Sequence, residues 1–126
     1  MRRRARGAPV ILTEAMWQSQ VVGVARQYSW TVFHPVKNQP TARGHRQTTE
    51  PGWLDLVILG HSRALFVELK SEKGRVRPEQ VDVMQKLRAA DCEVALWRPS
   101  DLPAALAVLG PQQQSLRWEH RDEGVS

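Results

Sequence analysis

Within residues 51–80, two apolar β-type runs carry three charged residues that a core strand does not ordinarily accept. Asp55 interrupts GWLDLVIL, and Glu68 and Lys70 interrupt ALFVELKS. The intervening Gly60, His61, Ser62 and Arg63 predict a hairpin. With a four-residue loop, Leu59 faces Ala64, Val57 faces Phe66, Asp55 faces Glu68 and Trp53 faces Lys70. Period-two alternation places that whole set on one face. Two carboxylates about 5 Å apart at an effective dielectric near 20 repel by roughly 3 kcal/mol. Such a hairpin therefore calls for a cation or a proton between them, and a metal is the reading the register favours.

The rest of the chain supplies elements to pack around this hairpin. Thr13 is a candidate N-cap for a first helix, EAMWQSQVVGVARQY, with Met16, Val21, Val24 and Tyr28 along one stripe and Glu14 and Gln18 four apart on one side. SWTVFH, ended by Pro35, reads as a short strand closed by His34. Residues 35–52 show no periodicity and hold Lys37, Arg43, His45 and Arg46, which suits a basic flap over the site; a solvated loop is the plainer reading. The two central strands are expected over 53–59 and 64–71, buried on both faces because their apolar character is nearly continuous. Pro78 suits the first position of a second helix with Val81, Met84 and Leu87 inward. Residues 93–97 give a fourth strand, parallel to the third across that helix. Ser100 is a candidate cap for a last helix over 102–109, stopped by Gly110 and Pro111.

Bulk properties set the compartment and the partner. A chain of 126 residues is the size of one domain and buries roughly two-thirds of its unfolded surface without cross-links. The expected organisation is a basic flexible leader over 1–9 with Arg2, Arg3, Arg4 and Arg6, one domain over 10–110, and a polar tail over 111–126 with Trp118 as a candidate dimer contact. Cys92 stands alone, which argues against a disulfide or a structural zinc site and favours the cytoplasm. No apolar run approaches the roughly 20 residues needed to span a bilayer, and the first fifteen residues lack a signal-peptide pattern, so a soluble, unprocessed chain is expected. With 18 Lys and Arg against 13 Asp and Glu, the formal charge is +5, and an anionic partner such as nucleic acid is favoured.

The order α, β, β, β, α, β with Asp55 followed by Glu68-Leu69-Lys70 is similar to the PD-(D/E)XK nuclease core. A wider set of residues narrows the likeness: Glu14, His34, Gly52-Trp53-Leu54-Asp55, Val67-Glu68-Leu69-Lys70, Gly74-Arg75, Gln80 and Trp97-Arg98-Pro99. Together they resemble the VRR-NUC (virus-type replication-repair nuclease) family, especially its small stand-alone phage and bacterial members, over about residues 13 to 109. One position departs from the pattern: Leu54 stands where the family usually has Pro.

The resemblance implies an α/β fold with a restriction-endonuclease-like core, a central mixed sheet flanked by helices. It implies that Asp55, Glu68 and the Leu69 carbonyl bind Mg²⁺ or Mn²⁺, with Glu14 assisting directly or through water. Lys70 would orient or deprotonate the attacking water and stabilise charge on the phosphate. Gln80 would hydrogen-bond Lys70 or that water. His34, Lys37, Arg43, Arg46, Lys73, Arg75 and Arg77 are the expected DNA contacts. The implied activity is a metal-dependent, structure-specific DNA endonuclease acting on branched DNA such as Holliday junctions, as a homodimer because paired incisions need two-fold symmetry. The alternative is a noncatalytic DNA-binding module that keeps the nuclease fold. Plainer readings stand beside these: Glu14 as a first-turn acid favoured by the helix dipole, Gln80 as a helix surface residue, and each basic side chain as a solvated charge.

Overall fold

The structure, a computed structural model, describes residues 11–35 and 52–112. Helix α1 spans Glu14–Gln27, and the Thr13 hydroxyl accepts the Met16 N–H at 3.1 Å as its cap. Strand β1 (Thr31–Phe33) follows. Strands β2 (Leu56–Gly60) and β3 (Arg63–Leu69) form the hairpin, and α2 (Pro78–Ala89) leads into β4 (Glu93–Trp97). A 3₁₀ turn, Pro99–Asp101, opens the last helix, α3 (Leu102–Leu109). The result is a mixed α/β fold, a four-strand sheet in the order β1-β2-β3-β4 with helices against it. β1, β2 and β3 are antiparallel in sequence, and β3 and β4 are parallel, as a helical crossover between them requires. Among the described residues, no helix is long and apolar enough to cross a membrane.

The hairpin has the expected register and a tighter turn. Val57 pairs with Phe66 and Leu59 with Ala64, and pairing continues to Gly60 and Arg63, so only His61 and Ser62 turn the chain. Both have positive φ, 50° and 62°, the combination that matches a two-residue turn to strand twist. His61 is held there by its Nε2, 2.8 Å from the Tyr28 carbonyl oxygen, and by edge contact with the Trp30 ring.

Burial corrects three expectations. The sheet is fully buried on one face and only partly on the other. Leu56, Ile58, Leu65, Val67 and Leu69 form a core face with Trp17, Val21 and Ala25 of α1 and Ala105 and Leu109 of α3. On the opposite face Leu59 and Ala64 are exposed and Val57 and Phe66 half-buried. In α1 the inward stripe is Trp17, Val21, Val22 and Ala25, while Met16 is exposed. Trp17 wins that position because its indole N–H donates to the Trp97 carbonyl at 2.9 Å, satisfying a buried donor. In α2 the buried residues are Gln80 and Met84, with Val81 exposed and Leu87 half-buried, because the helix crosses Glu68 and turns a polar residue inward. Ser100 lies within the 3₁₀ turn rather than capping α3, and its hydroxyl is spent on Glu72.

Candidate metal and phosphate site

Asp55 and Glu68 sit one step past the last ladder pair, Leu56 with Val67, so the antiparallel register sets them opposite each other. Asp55 Oδ2 accepts the Leu69 N–H at 2.9 Å, which fixes its carboxylate against the end of β3. In an antiparallel ladder a residue's N–H and C=O point to the same neighbouring strand. The Leu69 carbonyl is therefore directed to the Asp55 side, while the next amide, Lys70 N–H, turns to β4 and donates to the Trp97 carbonyl at 3.2 Å.

Glu68, on the opposite face beneath the start of α2, is a buried charged residue, 1% exposed. Its Oε2 accepts from Gln80 Nε2 at 2.6 Å and lies 3.4 Å from Lys70 Nζ. Burying a carboxylate is costly unless it is paired and hydrogen-bonded, and these two neighbours supply both kinds of compensation. Gln80 is itself fixed: its Oε1 accepts the Arg77 N–H at 2.9 Å, the Gln half of a capping box at the start of α2. The sequence placed Gln80 on Lys70 or on a water; the structure places it on Glu68. Lys70, 3.4 Å from Glu68, is a cation that the protein itself supplies to one of the two carboxylates.

Two backbone features steer Asp55 into this arrangement. Gly52 has φ +87°, and a Cβ there would overlap the Glu79 carbonyl oxygen, so the segment leading to Asp55 runs directly against the first turn of α2. Leu54 is fully buried. Its side chain anchors the segment that leads into Asp55. Trp53 packs edge-to-face on Phe66, with ring centroids 6.2 Å apart, on the same sheet face.

The other expected residues are less concentrated. Glu14 is exposed in the first turn of α1. It lies one turn before Trp17, whose indole shares the Trp97 carbonyl with Lys70 N–H. Among the described residues, no three His, Cys, Asp or Glu side chains gather closely enough to hold a metal together. Asp55 and Glu68 are the carboxylate pair at the strand ends. His34 is exposed just beyond β1, an edge strand. Lys73, Arg75 and Arg77 are exposed between β3 and α2. Lys37, Arg43 and Arg46, with the leader and Trp118, lie outside the described residues. Trp17, Trp30 and Trp97 are buried in the core.

One contributor carried no signal of its role in the sequence. Arg98, just after β4, donates through Nη1 to the carbonyls of Ser71 at 2.8 Å, Glu72 at 3.1 Å and Gly74 at 2.8 Å. It ties the turn after Lys70 to the end of the neighbouring strand. A separate groove of about 470 Å³ along β4, lined in part by Arg88, Glu93, Asp101 and Val108, contains none of the expected site residues.

The donor set fits a hard divalent cation. Mg²⁺ takes oxygen ligands, keeps several waters and is held by one or two carboxylates with substrate phosphate, and Asp55, Glu68 and the Leu69 carbonyl are oxygen donors on adjacent strand ends. A scan against protein-family models and searches of the curated proteins and of the solved structures return no match.

Proposed function

We propose that this protein is a metal-dependent DNA endonuclease with a PD-(D/E)XK core of the VRR-NUC type, acting on branched DNA as a homodimer. The observation that carries the reading is the meeting of Asp55, Glu68, Lys70 and Gln80 at the ends of β2 and β3 and the start of α2. A buried carboxylate held by a lysine and a glutamine, beside a second carboxylate, is an expensive arrangement for a structural role.

Asp55, Glu68 and the Leu69 carbonyl would hold Mg²⁺ or Mn²⁺, with Glu14 assisting directly or through water. The ion, when bound, polarises the scissile phosphate and acidifies water. Gln80 keeps the Glu68 carboxylate in one orientation, and the Leu69 N–H does the same for Asp55. Lys70 is an ammonium donor with three protons, so pairing with Glu68 still leaves it donors for a phosphate oxygen as negative charge grows there. Water oxygen attacks phosphorus, the bond from phosphorus to the leaving oxygen breaks, and the leaving oxygen takes up a proton. Exposed Lys73, Arg75 and Arg77 supply cations for the DNA backbone, with binding that weakens as salt rises.

A second reading is a noncatalytic DNA-binding module, favoured by one feature: Lys70 and Gln80 already compensate Glu68 without an ion. Calorimetric titration with Mn²⁺ separates the two. The nuclease reading predicts saturable binding that Asp55→Ala and Glu68→Gln each abolish. Binding that neither substitution affects, or no binding, favours the module.

A further inference from the structure

We propose that Arg98 is a positioning residue for Lys70. It holds the turn after β3 as a fixed wall against the lysine stem, and so sets where the ammonium stands beside Glu68. The inference rests on the nuclease reading for what Lys70 does, and it adds a residue that acts on the reaction only through Lys70.

Lys70 lies one residue past the end of β3, where a strand is free to fray. Two consecutive residues at the end of β4 fix its backbone on either side. Before it, the Lys70 N–H donates to the Trp97 carbonyl at 3.2 Å, and that carbonyl is itself anchored by the Trp17 indole at 2.9 Å. After it, the Ser71 carbonyl accepts from Arg98 Nη1 at 2.8 Å.

The same nitrogen reaches the carbonyls of Glu72 at 3.1 Å and Gly74 at 2.8 Å, while the Gly74 N–H closes back on Ser71 at 3.1 Å. Three carbonyl oxygens converging on one point repel one another unless a cation sits among them, and a guanidinium is charged at every accessible pH. The shape of the turn therefore depends on Arg98. Arg98 is preset in turn, since its N–H donates to Asp101 Oδ2 at 2.9 Å. A second tie joins the same two segments: the Glu72 carboxylate accepts the Ser100 N–H at 3.0 Å and the Ser100 hydroxyl at 2.7 Å.

This turn touches the lysine. A Cβ on Gly74 would lie 3.6 Å from Lys70 Cδ, so the turn packs beside the stem, and Lys70 is only 9% exposed although it stands beyond the strand. A lysine ammonium rides on a flexible four-carbon stem. Its partner Glu68 is held independently by Gln80, so the lysine is the member of the pair that needs a wall. A displacement of about 1 Å in a reacting group is enough to cost a large factor in rate.

The test uses the full chain in two arms. In the first, the side chains of the four lysines, Lys37, Lys70, Lys73 and Lys86, are followed by ¹³C–¹H NMR without metal or DNA, with Lys70→Ala assigning the Lys70 signal. A stem fixed in one rotamer gives two distinct ε-proton shifts, and averaging over rotamers merges them. Wild-type Lys70 is expected to show the separation and Arg98→Gln to lose it. In the second arm, four-way junction cleavage in Mg²⁺ is compared. Arg98→Gln is expected to lower kcat by about ten- to a hundredfold with KM little changed, and to cause no further loss in a Lys70→Ala background. Arg98→Lys, whose three protons sit on a nitrogen one bond short of Nη1, is expected to recover part of both.

Merged ε-proton shifts in wild type, or a folded Arg98→Gln that keeps the wild-type separation, would overturn the proposal. So would an equal fold-loss of kcat with and without Lys70. If Arg98→Gln does not fold, Arg98→Lys carries both arms: intermediate values support the proposal, and wild-type values in both overturn it. A wild type that cleaves no DNA while Arg98 still governs the Lys70 signals would end the nuclease reading and support the positioning of Lys70.

Discussion

Gln80 Nε2 donates to Glu68 Oε2 at 2.6 Å while Gln80 Oε1 accepts the Arg77 N–H at 2.9 Å, so one buried amide joins β3 to the start of α2. Hydrogen bonds to charged groups contribute about 1.5–3 kcal/mol each, and Gln80→Ala also loses the helix-start bond, so the expected destabilisation is about 2–4 kcal/mol in urea unfolding. Gln80→Glu should cost more at neutral pH, because it sets an acceptor against Glu68, and the extra cost should shrink on acidification as a proton enters the pair. Equal stability of Gln80→Glu and wild type at neutral pH would contradict this account.

Lys70 pairs with Glu68, and withdrawing it leaves a buried carboxylate with less compensation. Breaking a buried ion pair costs about 3–5 kcal/mol, so Lys70→Ala should be destabilised by an amount in that range. Mn²⁺ should restore part of the loss, since a ligand at a hundred times its dissociation constant adds about 2.7 kcal/mol. Unfolding curves with and without Mn²⁺ check both statements. Asp55→Ala should show no such recovery.

Gly52 combines φ +87° with a Cβ position occupied by the Glu79 carbonyl. Gly52→Ala meets both a backbone penalty and an overlap, and should lose more than about 1 kcal/mol of stability. The same shift moves Asp55 relative to Gln80, so Mn²⁺ affinity should fall as well, which a calorimetric titration of the folded variant reads.

The far end of the sheet carries a pH-sensitive pair. Arg63 donates to both Glu93 oxygens, at 3.0 and 2.6 Å, and these hydrogen bonds, more than simple charge attraction, hold the Glu93 carboxyl below the ordinary range. A depressed folded-state value means the contribution is full above the unfolded glutamate value of about 4.3 and is lost as pH falls through the lower folded value. The pair is well exposed, so solvent screening limits it to about 1 kcal/mol or less. Glu93→Gln should therefore be less stable than wild type at pH 7 by that amount, and the two should converge in acid.

The hairpin was legible because alternation and charge act at short range. The register of Val57 with Phe66 followed from where Gly60 and Arg63 sit, and it set Asp55 opposite Glu68. Thr13 and Pro78 marked helix starts through local chemistry, and β4 matched its expected range. What could not be read depends on long-range partners. Choosing Met16 over Trp17 is a rotation of one residue about the helix axis, decided by a carbonyl 80 positions away. Burial of Gln80 over Val81 follows from Glu68 lying beneath α2. Arg98 follows the strand expected over 93–97, and its contacts with the turn after Lys70 appear only when β4 lies parallel to β3.

The central claim is that Asp55, Glu68 and Lys70 perform metal-dependent phosphodiester hydrolysis. Its most direct measurement is cleavage of a synthetic four-way DNA junction in Mg²⁺ or Mn²⁺, beside duplex, flap and single-stranded controls, by wild type, Asp55→Ala and Lys70→Ala. The account predicts junction cleavage by wild type that a chelator abolishes, and rates lower by at least about a hundredfold in both variants. Tight binding of these DNAs with no metal-dependent cleavage of any of them, or cleavage undiminished in both variants, would contradict it.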